Sequence, residues 1–385
     1  MLDFSASLRS KLPKVGTTIF TVMSGLAAKE NALNLSQGFP DFNCSDELIE
    51  LVHQAMRQGH NQYAPMPGVM ALREQIAFKT ASLYGTQYDP EKEITVTAGA
   101  TQAIFTAIAA CVDEDDEVLI FTPAYDCYEP AIELVGGKPV YVQLKTPDYC
   151  IDWEEVKKMI NRKTKMIILN SPHNPTGSVL SKDDFIQLEK IVHNSNIILL
   201  SDEVYEHIVF DGKSHQSIAC FPELAKRSFI VSSFGKTYHT TGWKVGYCLA
   251  PADLMLEFRK THQYNVFTVN SAAQYAYAEF LKKEDEFLGL SYFYQEKRDL
   301  FQSLIKGSRF KLSNTAGTYF QLLDYSTISD EKDTDFAVRL TKEHKIASIP
   351  VSVFYNKAID NKVLRFCFAK ENHTLEQAAE ILQKI

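Results

Sequence analysis

Between residues 93 and 250, with no internal repeat of sequence, short apolar runs ending in polar turns alternate with segments whose apolar residues have helical spacing. The runs are Ile94–Thr97, Glu117–Phe121, Lys165–Asn170, Asn196–Asp202, Ser228–Val231 and Val245–Ala250. Apart from Ile94-Thr95-Val96-Thr97 they are largely continuous apolar runs where an open, half-solvated strand would alternate. Both faces are therefore expected to be buried, as in a mostly parallel sheet with helices on each side. The pattern predicts an α/β fold, and 385 residues suffice for two domains sharing a large core. It also predicts where a ligand would sit, because open α/β sheets bind beyond the carboxyl ends of their strands. Here those ends carry Ala98-Gly99-Ala100-Thr101, Thr122-Pro123-Ala124-Tyr125, Ser171-Pro172-His173-Asn174, Asp202-Glu203-Val204-Tyr205 and Ser233-Phe234-Gly235-Lys236.

Each end has a plain reading and a chemical one. Most lysines are solvated surface charges, but Lys236 follows a buried strand and has a second cation, Lys244, eight residues on. An amine so placed and partly desolvated has a lowered pKa and can form a Schiff base with an aldehyde. Asp202 closes an apolar run, so it is either a helix N-cap or a buried carboxylate that needs a cationic partner. A protonated pyridine nitrogen would be such a partner. The turn at Ala100 and Thr101 opens a helix, where free backbone N–H groups and the helix dipole favour an anion; Thr101 is expected to be the N-cap. Asn174 lies in an Asn-Pro-x-Gly turn at a strand end. Tyr125 is a packing residue or a ring that stacks on a flat ligand.

In this order the segments resemble the pyridoxal-phosphate-dependent class I and II aminotransferases, which have the aspartate aminotransferase fold. The similarity is greatest to the branch holding kynurenine, glutamine and bacterial methionine aminotransferases, and it covers nearly the whole chain. It implies fold type I: a large domain over residues 45–280, with a mostly parallel seven-stranded sheet between helices, and a smaller α+β domain from residues 1–44 and 281–385. In the smaller domain Gly317–Phe320, Ala347–Phe354 and Val363–Ala369 are expected to be strand-like. The resemblance also implies that pyridoxal 5′-phosphate is carried by Lys236. Its phosphate would be held by the Ala100 and Thr101 amides, Ser233 and Lys244, the last replacing an arginine common among relatives and giving up its bidentate fork. Tyr125 would stack on the ring, Asn174 and Tyr205 would reach its phenolic oxygen, and Asp202 would keep its nitrogen protonated as an electron sink.

For the substrate, the resemblance implies that the Arg365 fork binds the α-carboxylate, with Asn174 and the Gly38 backbone beside it and Phe20 lining the side-chain pocket. Two residues are implied to act across a homodimer with shared active sites: Tyr63, at the partner subunit's cofactor phosphate, and Phe267, on an interface helix over Val266–Leu281. Asn174–Pro175 and Thr122–Pro123 are implied to be cis. The expected activity is amino transfer to a 2-oxo acid by a ping-pong route, with Lys236, Asp202 and Tyr205 catalytic. The stretch 263–268 lacks the second arginine of dicarboxylate-specific relatives. Phe20, Tyr125 and Phe267 make the expected pocket apolar, so methionine and aromatic amino acids are the expected donors. A kynurenine or glutamine aminotransferase with cysteine-conjugate β-lyase activity is the alternative.

The formal net charge of −8 offers no electrostatic footprint for nucleic acid or an anionic membrane. Seven scattered cysteines without a C-x-x-C pair point to a reducing compartment and to neither a disulfide framework nor a bound metal. The start Met1-Leu2-Asp3-Phe4-Ser5 lacks the features of a signal peptide, and no apolar run approaches a bilayer span. A cytoplasmic protein is expected.

Overall fold

The computed structural model describes residues 9–357 and 359–385; the beginning of the N-terminal arm lies outside the described residues. A helix, Ile19–Glu30, is capped at its start by the Thr18 hydroxyl, which accepts from the Thr21 N–H, and closed by Asn31 in the left-handed conformation. It leads into a two-residue strand, β1 (Leu33–Asn34).

Seven strands then build one sheet: β2 (Ile94–Thr97), β3 (Glu117–Thr122), β4 (Lys138–Gln143), β5 (Thr164–Asn170), β6 (Ile198–Asp202), β7 (Ser228–Ser233) and β8 (Gly246–Leu249). Their spatial order is 2-8-7-6-5-3-4. Neighbours pair in parallel except at β8, which runs antiparallel to both β7 and β2. The period of two along each strand supplies both faces with apolar residues. Val118, Ile120, Ile168, Leu200 and Phe229 face one helix layer, which includes Ile104, Ile108 and Phe258. Leu119, Phe121, Leu169, Leu199 and Ile230 face the other, where Leu72, Ile76, Phe185 and Leu188 pack. Full burial of each such side chain contributes about 1.5–3 kcal/mol, which accounts for the unbroken apolar runs. The edge strand β4 was not among them, because its burial is partial and its sequence is mixed.

A buried polar knot lies behind β6, β7 and β8. Lys79 Nζ meets Glu206 Oε1 at 2.7 Å and the Tyr247 hydroxyl at 2.7 Å. Glu206 also accepts from the Ser232 hydroxyl at 2.6 Å and the Tyr84 hydroxyl at 2.6 Å.

The later chain forms β9 (Lys311–Leu312), β10 (Phe320–Asp324), β11 (Ile346–Ala347), β12 (Ile349–Pro350) and β13 (Val363–Cys367). Antiparallel pairs give the order β12-β13-β10-β9, while β11 pairs in parallel with β1. Three expectations are corrected. The strand near Gly317 begins only at Phe320, since Thr318 has φ 65° and leaves the extended region. Extended structure at 347–354 is confined to short ladders, and Val351–Phe354 is a 3-10 turn; the Asp333 carboxylate accepts from the Ser352 N–H at 2.7 Å and its hydroxyl at 2.6 Å. The helix expected from Val266 starts at Ser271, because Phe267 has φ 69° and the Asn270 side chain caps a new helix, Ser271–Phe280. Among the described residues no helix is long and apolar enough to cross a membrane.

Candidate active site

A cavity of about 390 Å³ opens at the carboxyl ends of β5, β6 and β7. The large sheet and its helices contribute Ala100, Thr101, Tyr125, Asn174, Asp202, Tyr205, Ser233, Lys236 and Lys244 to its wall. Phe20, Gly38 and Arg365 reach it from the N-terminal segment and from β13. Tyr63 and Phe267 do not line it. They pack edge-on against each other, ring centroids 5.4 Å apart, with Tyr63 84% exposed.

Register places the first pair of groups. Asn170 and Asp202 end adjacent parallel strands and are paired residues. The Asn170 side chain donates to the Asp202 carbonyl oxygen at 2.9 Å and accepts from the Asn174 N–H at 2.8 Å, which fixes the turn carrying Asn174. Within that turn Asn174–Pro175 is cis, as is Thr122–Pro123 before Tyr125; Thr146–Pro147 and Ser171–Pro172 are cis as well. The Asp202 carboxylate is 3% exposed and accepts from the Tyr128 hydroxyl at 2.6 Å and from the Val204 N–H at 3.3 Å. Burial pushes its pKa up to about 6, against the lowering effect of these two donors. Among the described residues no cation lies within salt-bridge distance of it, and the more distant Lys236 amine offsets its charge only weakly. Tyr128 and Asn170 were not singled out in the sequence. Tyr128 lies three residues past Tyr125, on the next turn, and its ring meets Tyr125 edge-on at 5.8 Å.

Lys236 follows β7 in a single helical turn, Phe234–Thr237. Gly235 is required in that turn, because a Cβ there would stand 2.9 Å from the Thr241 Cα. Desolvation draws the Lys236 amine down to about 8; Arg365 and Lys244 also lower it, against Cys367 and Asp202. The amine donates to the Gly38 carbonyl oxygen and to the Tyr319 hydroxyl, each at 2.8 Å. Tyr205 is buried beside it, its ring centroid 5.5 Å from Lys236 Nζ.

At the other end of the cavity the reversal of β8 has a local effect: it carries residues 244–246 against the start of the helix Gly99–Cys111. A Cβ on Gly246 would stand 3.1 Å from the Ala100 nitrogen, and one on Gly99, at φ 75°, 3.3 Å from Lys244 Nζ. An ammonium thus lies over a helix N-terminus whose first amides have no intrahelical partner, a pairing suited to a dianion. Thr101 is not the N-cap. The helix starts at Gly99 with Ala98 as cap residue, so Ala100 and Thr101 sit inside the first turn. What they offer an anion there is their backbone N–H groups.

Arg365 is the largest wholly buried side chain, at 1% exposure, with its guanidinium 3.9 Å from the Phe320 ring centroid and 5.2 Å from that of Phe20. It donates through Nη1 to Asn174 Oδ1 at 2.7 Å and through Nη2 to the Ser36 carbonyl oxygen at 3.1 Å, and among the described residues its Nε has no partner. A guanidinium has five N–H donors. Asp126 attracts Arg365 from beyond salt-bridge distance; a buried cation with spare donors and, among the described residues, no carboxylate in contact is suited to an anion from outside the chain.

A family model described as aminotransferase class I and II matches residues 30–385. The chain belongs to the class I and II aminotransferases. Methionine aminotransferase of Escherichia coli is 49% identical over 378 residues, 98% of each chain. A solved Escherichia coli structure described as identifying a methionine aminotransferase function superposes with a TM-score of 0.97 at 48% identity, covering 99% of this chain and 100% of the other. Human kynurenine–oxoglutarate transaminase 3 is 33% identical over 425 residues, 100% of this chain and 93% of the relative.

Pyridoxal phosphate is the cofactor of this family, and the residues of this aminotransferase fit it on three counts. Asp202 is a buried carboxylate with no cation in contact among the described residues, the helix at Gly99 and Lys244 form an anion cradle that side chains on Gly99 or Gly246 would crowd, and Lys236 is an amine of lowered pKa between them.

Proposed function

We propose that this aminotransferase uses pyridoxal phosphate to move the amino group of methionine, and of aromatic amino acids, to a 2-oxo acid. The single observation that carries the substrate class is the cation inventory of the cavity. Among the described residues Arg365 is its one arginine, and Phe20, Ile104, Phe39 and Phe320 make up much of the remaining wall. One fork suits one α-carboxylate; a second, side-chain carboxylate would be left without a partner at a cost of several kcal/mol. The relatedness to Escherichia coli methionine aminotransferase supports the same choice.

When bound, the cofactor supplies an aldehyde for the amine and a protonated ring that withdraws electrons from the substrate Cα. The residues do the rest. Ala100, Thr101, Ser233 and Lys244 would hold the phosphate, Tyr125 the ring face, Asn174 and Tyr205 the phenolic oxygen, and Asp202 the proton on the ring nitrogen. Arg365, braced by Asn174 and the Ser36 carbonyl, orients the amino acid through its carboxylate, with the Gly38 backbone and Phe20 alongside. Lys236, neutral above pH 8, takes the α-proton and holds it for return. The exposed Tyr63 and its half-buried neighbour Phe267 are assigned to the site of a second copy in a homodimer.

The test is spectroscopic. Purified protein should show the visible band of lysine-bound cofactor, lose it on adding methionine alone, and regain it with a 2-oxo acid. Lys236→Ala should abolish the cycle. Loss of the band with aspartate but not with methionine would refute the substrate assignment; kynurenine and a cysteine S-conjugate belong in the same series.

A further inference from the structure

The Lys236 amine rests in a hydrogen-bonded triangle that the roles above leave without a purpose. It donates to the Gly38 carbonyl and to the Tyr319 hydroxyl, and Tyr319 in turn donates to the same carbonyl at 2.5 Å. Both acceptors are rigid. The Tyr319 ring is wholly buried and packed against Tyr205, Tyr294 and Phe320, with centroids 5.2, 5.5 and 5.0 Å away. Its backbone is held by the Phe368 N–H, which donates to the Tyr319 carbonyl oxygen at 2.9 Å. Gly38 lies under the Phe320 ring so closely that a Cβ would stand 2.8 Å from it.

We propose that Tyr319 is a further catalytic residue: with the Gly38 carbonyl it docks the free Lys236 amine and fixes the direction of its lone pair. This rests on the reading of Lys236 as the proton-carrying amine. A neutral amine has two N–H bonds and one lone pair besides its carbon. Both N–H bonds are spent in the triangle, so the lone pair takes the remaining direction and cannot rotate into them. When an N–H bond forms there as the substrate Cα–H bond breaks, the C–H electrons stay on carbon. The proton occupies that one position, from which it is later returned. Without Tyr319 the amine keeps a single anchor, the Gly38 carbonyl, and turns about it. Misorientation of a base lowers the rate of proton transfer and leaves binding of the carboxylate alone.

The experiment compares wild type, Tyr319→Phe and Tyr294→Phe as holoenzymes. Tyr294 is the control, since its buried hydroxyl stands in the same aromatic cluster, has no hydrogen-bond partner among the described residues and does not touch Lys236. Absorbance first establishes that each protein carries lysine-bound cofactor. Single-turnover reaction with methionine and with α-deuterated methionine then follows, without oxo acid. Tyr319→Phe should be about 10–100-fold slower with a larger isotope effect and an unchanged methionine half-saturation; Tyr294→Phe should match wild type. If Tyr319→Phe keeps the wild-type rate and isotope effect, or if both variants slow equally, the inference is overturned while the functional reading stands. If wild type itself lacks the band or does not react, the functional reading fails and the inference with it.

Discussion

Replacing Asp202 with asparagine should stabilise the cofactor-free protein while disabling the enzyme. The carboxylate is 3% exposed and its pKa is about 6 in the fold against an ordinary 3.8, with burial as the main cause. A raised pKa means that the folded state holds the proton more tightly than the unfolded one. Ionised Asp202 therefore destabilises the apoprotein above pH 6, by about 3 kcal/mol for a shift of roughly two units. Asparagine removes that charge. It can still accept from either the Tyr128 hydroxyl or the Val204 N–H, and losing the other acceptor costs about 1 kcal/mol. The expected net gain is about 2 kcal/mol at pH 8. Lowering the pH to 5 should shrink the electrostatic part by about half, because wild-type Asp202 is then largely protonated in the fold. Urea denaturation of apo wild type and Asp202→Asn at the two pH values measures this through the midpoint at constant slope. With cofactor loaded the order should reverse, and single-turnover rates with methionine should fall about 10²–10³-fold for loss of a buried electrostatic partner. An apo variant no more stable than wild type at pH 8, or a gain independent of pH, would refute the argument that Asp202 holds a largely uncompensated charge.

Arg365→Lys keeps the charge but not the fork; kcat/KM for methionine should drop about 10–100-fold, mainly through KM, as measured by steady-state kinetics. The rate at which apoprotein recombines with pyridoxal phosphate should rise with pH through about 8 and level off above, because desolvation lowers the Lys236 pKa and only the neutral amine attacks; stopped-flow absorbance reads it, and a flat profile from pH 6 to 10 contradicts the assignment. Lys79→Met leaves Glu206, 3% exposed, with hydroxyl donors and only the His207 imidazole, 3.8 Å away and kept neutral by burial, as a potential cation, and should cost about 3–5 kcal/mol in urea denaturation. The double variant Lys79→Met/Glu206→Gln should recover most of that loss; failure to recover would mean that packing, not charge, holds the knot.

The sequence disclosed the parts that depend on local pattern. Strands β3, β5, β6 and β7 are buried on both faces and so appear as unbroken apolar runs, and their polar ends are contiguous with them. Asp202, Lys236 and Asn174 were legible for this reason. The edge strand β4 has no such run. The break at 266–270 depends on the positive φ of Phe267 and the Asn270 cap, which a helical spacing of apolar residues does not reveal. Thr101 was misplaced because a small-residue turn allows the helix to begin two residues earlier, at Gly99. Asn170, Tyr128 and Tyr319 reach the cavity residues through strand register and long-range approach. Tyr319 meets Lys236 across 83 residues of sequence, and neither neighbourhood encodes the encounter.

The pairing of β1 with β11 joins the two ends of the chain, and translation gives that geometry an order in time. Once Phe280 has left the ribosome, β2 through β8, the helices that cover them, Asp202, Lys236 and Lys244 are all present and can assemble. Leu33–Gly38 then has neither its partner strand nor the Tyr319 and Arg365 side chains that meet it. The anion cradle can thus exist in the nascent protein before the guanidinium that would select a carboxylate. In order of synthesis, the sheet and its anion cradle precede the residues that close the cavity over them.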